Sequence, residues 1–328
     1  MVLRFFKGSG PGVILMIAVI FAAVWSHVFF HPAEDIVYNN PMPLFGLLEY
    51  FLRSNVLISN IVAAIICITL VFLITNFNTK FFFITERTFL PALIFILIIA
   101  LLPGLQTLMP ILPTTLFIML TLRKIVDSYH KKDMAYNFFD AGIIIGTGSL
   151  FYANLIWFGA LIFIGIILFR TLNIKEIAIS ILGLIIPFLI VFGVYYVFGY
   201  DFNEMWPIVY NNFFSTPESL SFSKLTIATL IFISLIVIAS LIQIVVFQNT
   251  KIKSRKTFSL LIWMTLISVA VYFLVPSASY ELFWLLGIPI SYFIAYYFIF
   301  SKKKIFSEVF FSVFFLLILL IQVLHFLK

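Results

Sequence analysis

Apolar residues run through this chain in blocks separated by short polar, proline or Lys/Arg punctuation. Seven blocks stand clear: 13–30, 56–76, 176–199, 225–247, 257–275, 282–300 and 306–327. Each reaches the roughly 18 residues at which an apolar α-helix begins to cover a hydrocarbon layer of about 30 Å. Two further blocks do not read as one helix apiece. Block 89–122 contains Pro103-Gly104, Pro110 and Pro113, and proline removes the backbone donor that a continuous helix needs. It divides into 89–103 and 107–122. Block 138–169 would overshoot a bilayer as a single helix and carries Tyr152-Ala153-Asn154 at its middle, where it divides as well. The pattern predicts an all-α polytopic transmembrane bundle of about eleven spans, one membrane domain over residues 1–328 with no soluble domain.

Charge tests the parity of that count, because cytoplasmic loops are enriched in Lys and Arg. With eleven spans and a cytoplasmic N-terminus, all but three of the 20 basic residues fall inside, the exceptions being Arg53, Lys224 and Lys328. Glu34, Asp35, Glu49, Asp201, Glu204, Glu218 and Glu281 then fall outside, and the C-terminus is periplasmic. Merging one divided block inverts every later loop. The first block follows Arg4 and Lys7 as in a signal peptide, but no small-x-small cleavage site follows, so it reads as a retained span.

Composition agrees with the pattern. Hydrophobic residues make up 63% of the chain and charged residues 10%, with a mean hydropathy of +1.19, well outside the range of soluble domains. The net charge of +7 comes from clusters between spans, where it orients the protein, and nucleic-acid binding is not expected. The single cysteine, Cys67, lies in an apolar run, which excludes an intramolecular disulfide and a cysteine metal site. The span interiors hold essentially no ionisable groups, which argues against an ion-coupled transporter. Broken helices can bind ions through backbone carbonyls instead, and 89–122 is the candidate for that. Gly142 and Gly146 form a small-xxx-small pair that predicts close helix packing. No lysine follows them as in a phosphate-binding loop. No GxSxG motif supports a serine hydrolase, and four histidines spread along the chain cannot build an all-histidine iron centre.

Candidate chemistry concentrates in two outer segments, 31–55 and 200–224. His27, His31, Glu34 and Asp35 run on from the outer end of the first span at i, i+4, i+7 and i+8, one face of a helix were it to continue past Pro32. Histidines with carboxylates hold divalent metals, and a carboxylate at a membrane surface serves as a general base. Within 43–54, Leu44, Leu47, Leu48, Phe51 and Leu52 oppose Gly46, Glu49, Tyr50 and Arg53, which predicts a short interfacial helix. The second segment sets Asp201 and Glu204 beside Trp206, an arrangement that suits sugar or lipid head-group binding as well as an interfacial aromatic belt.

The stretch FFDAGIIIGTGSLFYANLIWFGALIFIGIILFR followed by IKEIAISILGLIIPFLIVFGVYYVFG resembles the middle of a family of uncharacterised polytopic inner-membrane proteins of Bacteroidota. More distantly, the chain is similar to glycosyltransferases of the GT-C fold. That resemblance implies a cell-envelope enzyme using a polyprenyl-phosphate-linked sugar at the outer face of the bacterial inner membrane. It implies Glu34 or Asp35 as catalytic base or metal ligand, with Glu49 behind them. Arg53 or Lys224 would hold the lipid phosphate, and Asp201, Glu204 and Trp206 would line the substrate. A divalent metal at His27 and His31 is the one cofactor considered. The alternatives are a non-enzymatic subunit of an envelope or protein-export complex, and a transporter or flippase for a lipid-linked substrate. Membrane lipids are partners under every reading.

Overall fold

The computed structural model describes residues 2–30, 40–52, 55–129, 135–170, 174–199, 202–215, 223–246 and 251–327. Among them every regular element is helical and no strand occurs. In chain order the helices are α1 (Val2–Phe6), α2 (Pro11–Phe30), α3 (Pro43–Leu52), α4 (Val56–Phe81), α5 (Leu90–Ala100), α6 (Ile111–Asp127) and α7 (Ala135–Ser149). They continue with α8 (Ala160–Phe169), α9 (Ile174–Val197), α10 (Phe202–Phe214), α11 (Lys224–Val246), α12 (Ile252–Leu274), α13 (Phe283–Phe300) and α14 (Lys304–Phe326). Three 3₁₀ turns join them, Pro103–Leu105 after α5, Ala153–Gly159 before α8 and Tyr280–Leu282 before α13.

Among the described residues, seven helices are long and apolar enough to cross a membrane: α2, α4, α9, α11, α12, α13 and α14. The expectation of eleven spans is corrected to seven candidates. Both divided blocks break where proline and Tyr152-Ala153-Asn154 predict, but the pieces are short. Helix α5 has 11 residues, α6 17, α7 15 and α8 10, against the ~20 that a full crossing takes. Apolar composition alone cannot separate helix from turn, and here Leu101, Leu102, Leu105, Met109 and Leu150 are buried in turns rather than in helices. The two pairs α5/α6 and α7/α8 are therefore hairpins of short helices. Four fewer crossings, two from each hairpin, is an even change, so the predicted side of every loop other than the two hairpin tips is the same for seven spans as for eleven.

Helix α5 is the axis of the bundle. All of its residues are buried, as expected for a helix that is apolar all round and so needs cover on every face. Helices α13, α4, α14 and α2 pack around it. Polar side chains at its margins are spent on backbone acceptors: Tyr292 Oη donates to Ile74 O (2.7 Å) and Gln322 Nε2 to Ala100 O (2.5 Å). The long outer helices expose Leu15, Ile68, Phe72, Leu189, Leu235 and Leu316, an apolar belt that only hydrocarbon covers without cost.

Helices α7 and α9 form the most extensive helix pair, and glycine is the reason. A Cβ on Gly142 would stand 2.6 Å from Ser180 O, and one on Gly146 2.6 Å from Leu184 O and 3.0 Å from the ring of Pro187. The small-residue pair packs as expected.

Charged residues from separate elements meet at one end of the bundle. Lys80 pairs with Asp127 (2.5 Å), Lys124 with Asp140 (2.6 Å) and Arg170 with Glu176 (2.5 Å). Lys253 lies over the rings of both Phe81 and Tyr129, which ties α12 to the same end. Lys7 reaches Ile299 O, and burial lowers its pKa from the ordinary lysine value.

Candidate functional site

Opposite the basic end, the ten residues from Val275 to Trp284 clasp the tips of both short hairpins. At the second hairpin, Ser277 and Asn154 face one another: Asn154 Nδ2 lies 2.9 Å from Ser277 Oγ, and Asn154 Oδ1 3.3 Å from the same hydroxyl. Asn154 Nδ2 also lies 3.4 Å from Tyr152 Oη. At the first hairpin, Trp284 Nε1 donates to Leu105 O (3.3 Å). Between the two clasps sits Glu281, half-buried, its backbone N–H held by Ser279 Oγ and its carboxylate within electrostatic reach of Tyr152.

At the first tip the sequence folds this way because a helix breaker follows α5. Pro103 stops the chain after α5, and the Gln106 N–H closes the turn onto Pro103 O (3.0 Å). The side chain of Gln106 is thereby turned inward. It is completely buried, and neither its amide nitrogen nor its amide oxygen has a hydrogen-bond partner in the protein; the hydroxyl of Thr107 beside it is in the same condition. A second feature shares α5. Between α2 and α4 lies an apolar cleft of about 520 Å³, with Ile14, Phe21, Ile68 and Phe72 at its sides and Ala92 and Ile96 of α5 at its floor.

The predicted site residues are only partly brought together. Glu34, Asp35, His31, Arg53 and Asp201 lie outside the described residues, as does the side chain of Glu204 within α10. His27, in the last turn of α2, meets His325 of α14, ring centroids 4.3 Å apart with the planes tilted by 46°. Among the described residues no group of three His, Cys, Asp or Glu is placed to hold a metal. Cys67 is buried in α4. Glu49 lies on α3, whose entry is pinned by Leu44 N–H to Leu150 O (3.0 Å). Met42, Leu150 and Ala153 there form a small core together with Ile208 and Phe213 of α10, so α3 and α10 share the tip of the second hairpin. Phe45 of α3 is buried, outside the apolar stripe predicted for 43–54, while Leu47 and Phe51 of that stripe stay exposed. Trp206 is exposed on α10, and Lys224 is exposed at the start of α11, which packs chiefly on α13 and α14.

Gln106, Thr107 and Ser277 belong to no sequence motif, and in the sequence Asn154 marks only a helix break and Glu281 only a side of the membrane. Their one sequence signal is position: polar residues next to prolines or breaks inside apolar blocks. No curated protein and no solved structure matches the chain. A family match does exist: over residues 13–328 the chain belongs to the family of unknown function DUF6427.

Proposed function

We propose that the protein is a carrier of the transporter or flippase class, binding a polar or amphipathic molecule at the clasped hairpin tips. Gln106 carries this reading. A buried amide without partners costs about 1–3 kcal/mol, and a polar ligand that pairs with it removes that cost. Membrane carriers place ligands at discontinuous helices, because non-helical backbone at membrane depth is held only inside protein or beside a cavity. The cleft between α2 and α4 suits the acyl or prenyl chain of a lipid-linked substrate, and it shares α5 with the Gln106 break. In this reading the basic end faces the cytoplasm of a bacterial inner membrane. The GT-C-like glycosyltransferase reading, with a polyprenyl-phosphate-linked sugar at Glu34 or Asp35, rests on resemblance alone, and no particular contact favours the complex-subunit reading.

Complementation of a deletion strain separates these. Leucine is close to glutamine in volume and lacks both unpartnered atoms, so Gln106→Leu is expected to gain about 1 kcal/mol of stability while failing to restore the wild-type phenotype. A Gln106→Leu protein that is more stable and fully active sinks the carrier site. In the same strain, full rescue by Glu34→Ala/Asp35→Ala removes the catalytic reading.

A further inference from the structure

We propose that the groove between α11, α13 and α14 at the basic end is a binding site for one anionic phospholipid. The groove encloses about 460 Å³. Its walls divide by chemistry along its length. Ile242 of α11 and Phe306 and Phe310 of α14 supply an apolar wall, and Phe310 is fixed edge-on by Phe232 of α11. At its end Gln243, Ser301, Lys302 and Lys303 supply polar and cationic groups.

Three lysines in succession, Lys302 to Lys304, form the connection into α14, and all three are exposed. The N-terminus of α14 adds to the same field. Its cap residue Lys303 makes no side-chain capping bond, and no acidic residue lies in its first turn, so the positive end of the helix dipole adds to the field of the lysines. Glu308 is the nearest acid on α14, and it accepts from the backbone N–H of Leu3. An apolar slot opening on the lipid belt and ending in lysines at the cationic face matches an acyl chain joined to a phosphodiester. A free phosphate would leave the apolar part of the groove without purpose, and a zwitterionic lipid would bring its own cation against the lysines.

The test uses the full chain purified in a neutral detergent. Thermal unfolding is followed while dioleoyl phosphatidylglycerol, dioleoyl phosphatidylcholine or inorganic phosphate is added. Phosphatidylglycerol is expected to raise Tm saturably and the other two not. Lys302→Gln/Lys303→Gln is expected to weaken the midpoint about 30-fold, whereas Lys251→Gln/Arg255→Gln, which removes equal charge at the N-terminal end of α12, leaves it within about 2-fold. Ala239→Trp fills the groove without changing charge and is expected to abolish the shift. The proposal is overturned if phosphatidylcholine or phosphate matches phosphatidylglycerol, if the Lys302/Lys303 variant keeps its affinity, or if Ala239→Trp binds normally. None of these results depends on Gln106, so the carrier site stands or falls separately.

Discussion

Substituting Gly183 by alanine probes the contact on which the second hairpin hangs. The new methyl would overlap Phe139 O and lie 3.2 Å from both Gly142 Cα and Ile143 N. All three are backbone atoms of α7, so no side chain can rotate away. Carbon contacts are optimal near 3.5–4.0 Å, and opening a packed interface by 0.5–1 Å forfeits a quarter to a half of its dispersion energy. Helices α7 and α9 would have to part by about that much along their length. The expected cost is about 3 kcal/mol, the upper end for overpacking, or a fall in Tm of about 6 °C at roughly 2 °C per kcal/mol for a chain of this size. Gly193 provides an internal control on the same helix. It is exposed, and a Cβ there meets nothing within 4 Å. Gly193→Ala is expected to hold or raise Tm, since alanine exceeds glycine in helix propensity by up to ~1 kcal/mol. Thermal unfolding in detergent reads both variants. If Gly183→Ala and Gly193→Ala behave alike, or if Gly183→Ala unfolds within about 1 °C of wild type, the close-approach account of the α7–α9 contact is wrong.

Two further measurements bear on the fold. The Arg170–Glu176 pair joins the end of α8 to the start of α9, and both side chains are largely buried (18% and 8% exposed). Removing one partner strands a buried charge, so Arg170→Leu should destabilise by about 3 kcal/mol, and Arg170→Leu/Glu176→Leu should recover most of it; an additive double variant would contradict this. In a Cys67→Ser background, cysteines at Thr85 and Ser301 should react with a thiol reagent only from the cytoplasmic side, and one at Lys224 only from outside. Labelling Thr85 and Lys224 from the same side would break the parity derived from charge.

Much of the architecture was legible because the bilayer imposes a length rule on apolar sequence and a charge rule on loops. The seven long helices coincide with the seven clear apolar blocks, and the breaks at Pro103 and Tyr152-Ala153-Asn154 fall where missing donors and polar residues placed them. The Gly142/Gly146 pair announced a close helix contact, though not its partner Gly183. The count of spans was overestimated because Leu, Met and Phe in a buried turn have the same hydropathy as in a helix. Only packing distinguishes them, and α5 is surrounded on all sides by protein that the chain supplies from distant segments.

The candidate site was the least legible part. Reading along the chain drew attention to dense polar clusters in the outer segments, such as Glu34 and Asp35, because local spacing is all that a sequence displays. Gln106, Asn154, Ser277 and Glu281 are isolated polar residues in apolar surroundings, and 123 positions separate Asn154 from the hydroxyl it meets. By itself the sequence determined a multi-span, all-helical membrane protein and the ends at which its charges gather, since solvent transfer and helix geometry act residue by residue. Only the tertiary structure decided that two hairpins are built of short helices, that their tips are clasped by the turn before α13, and that one amide is buried there without a partner, because those outcomes depend on which distant surfaces pack together.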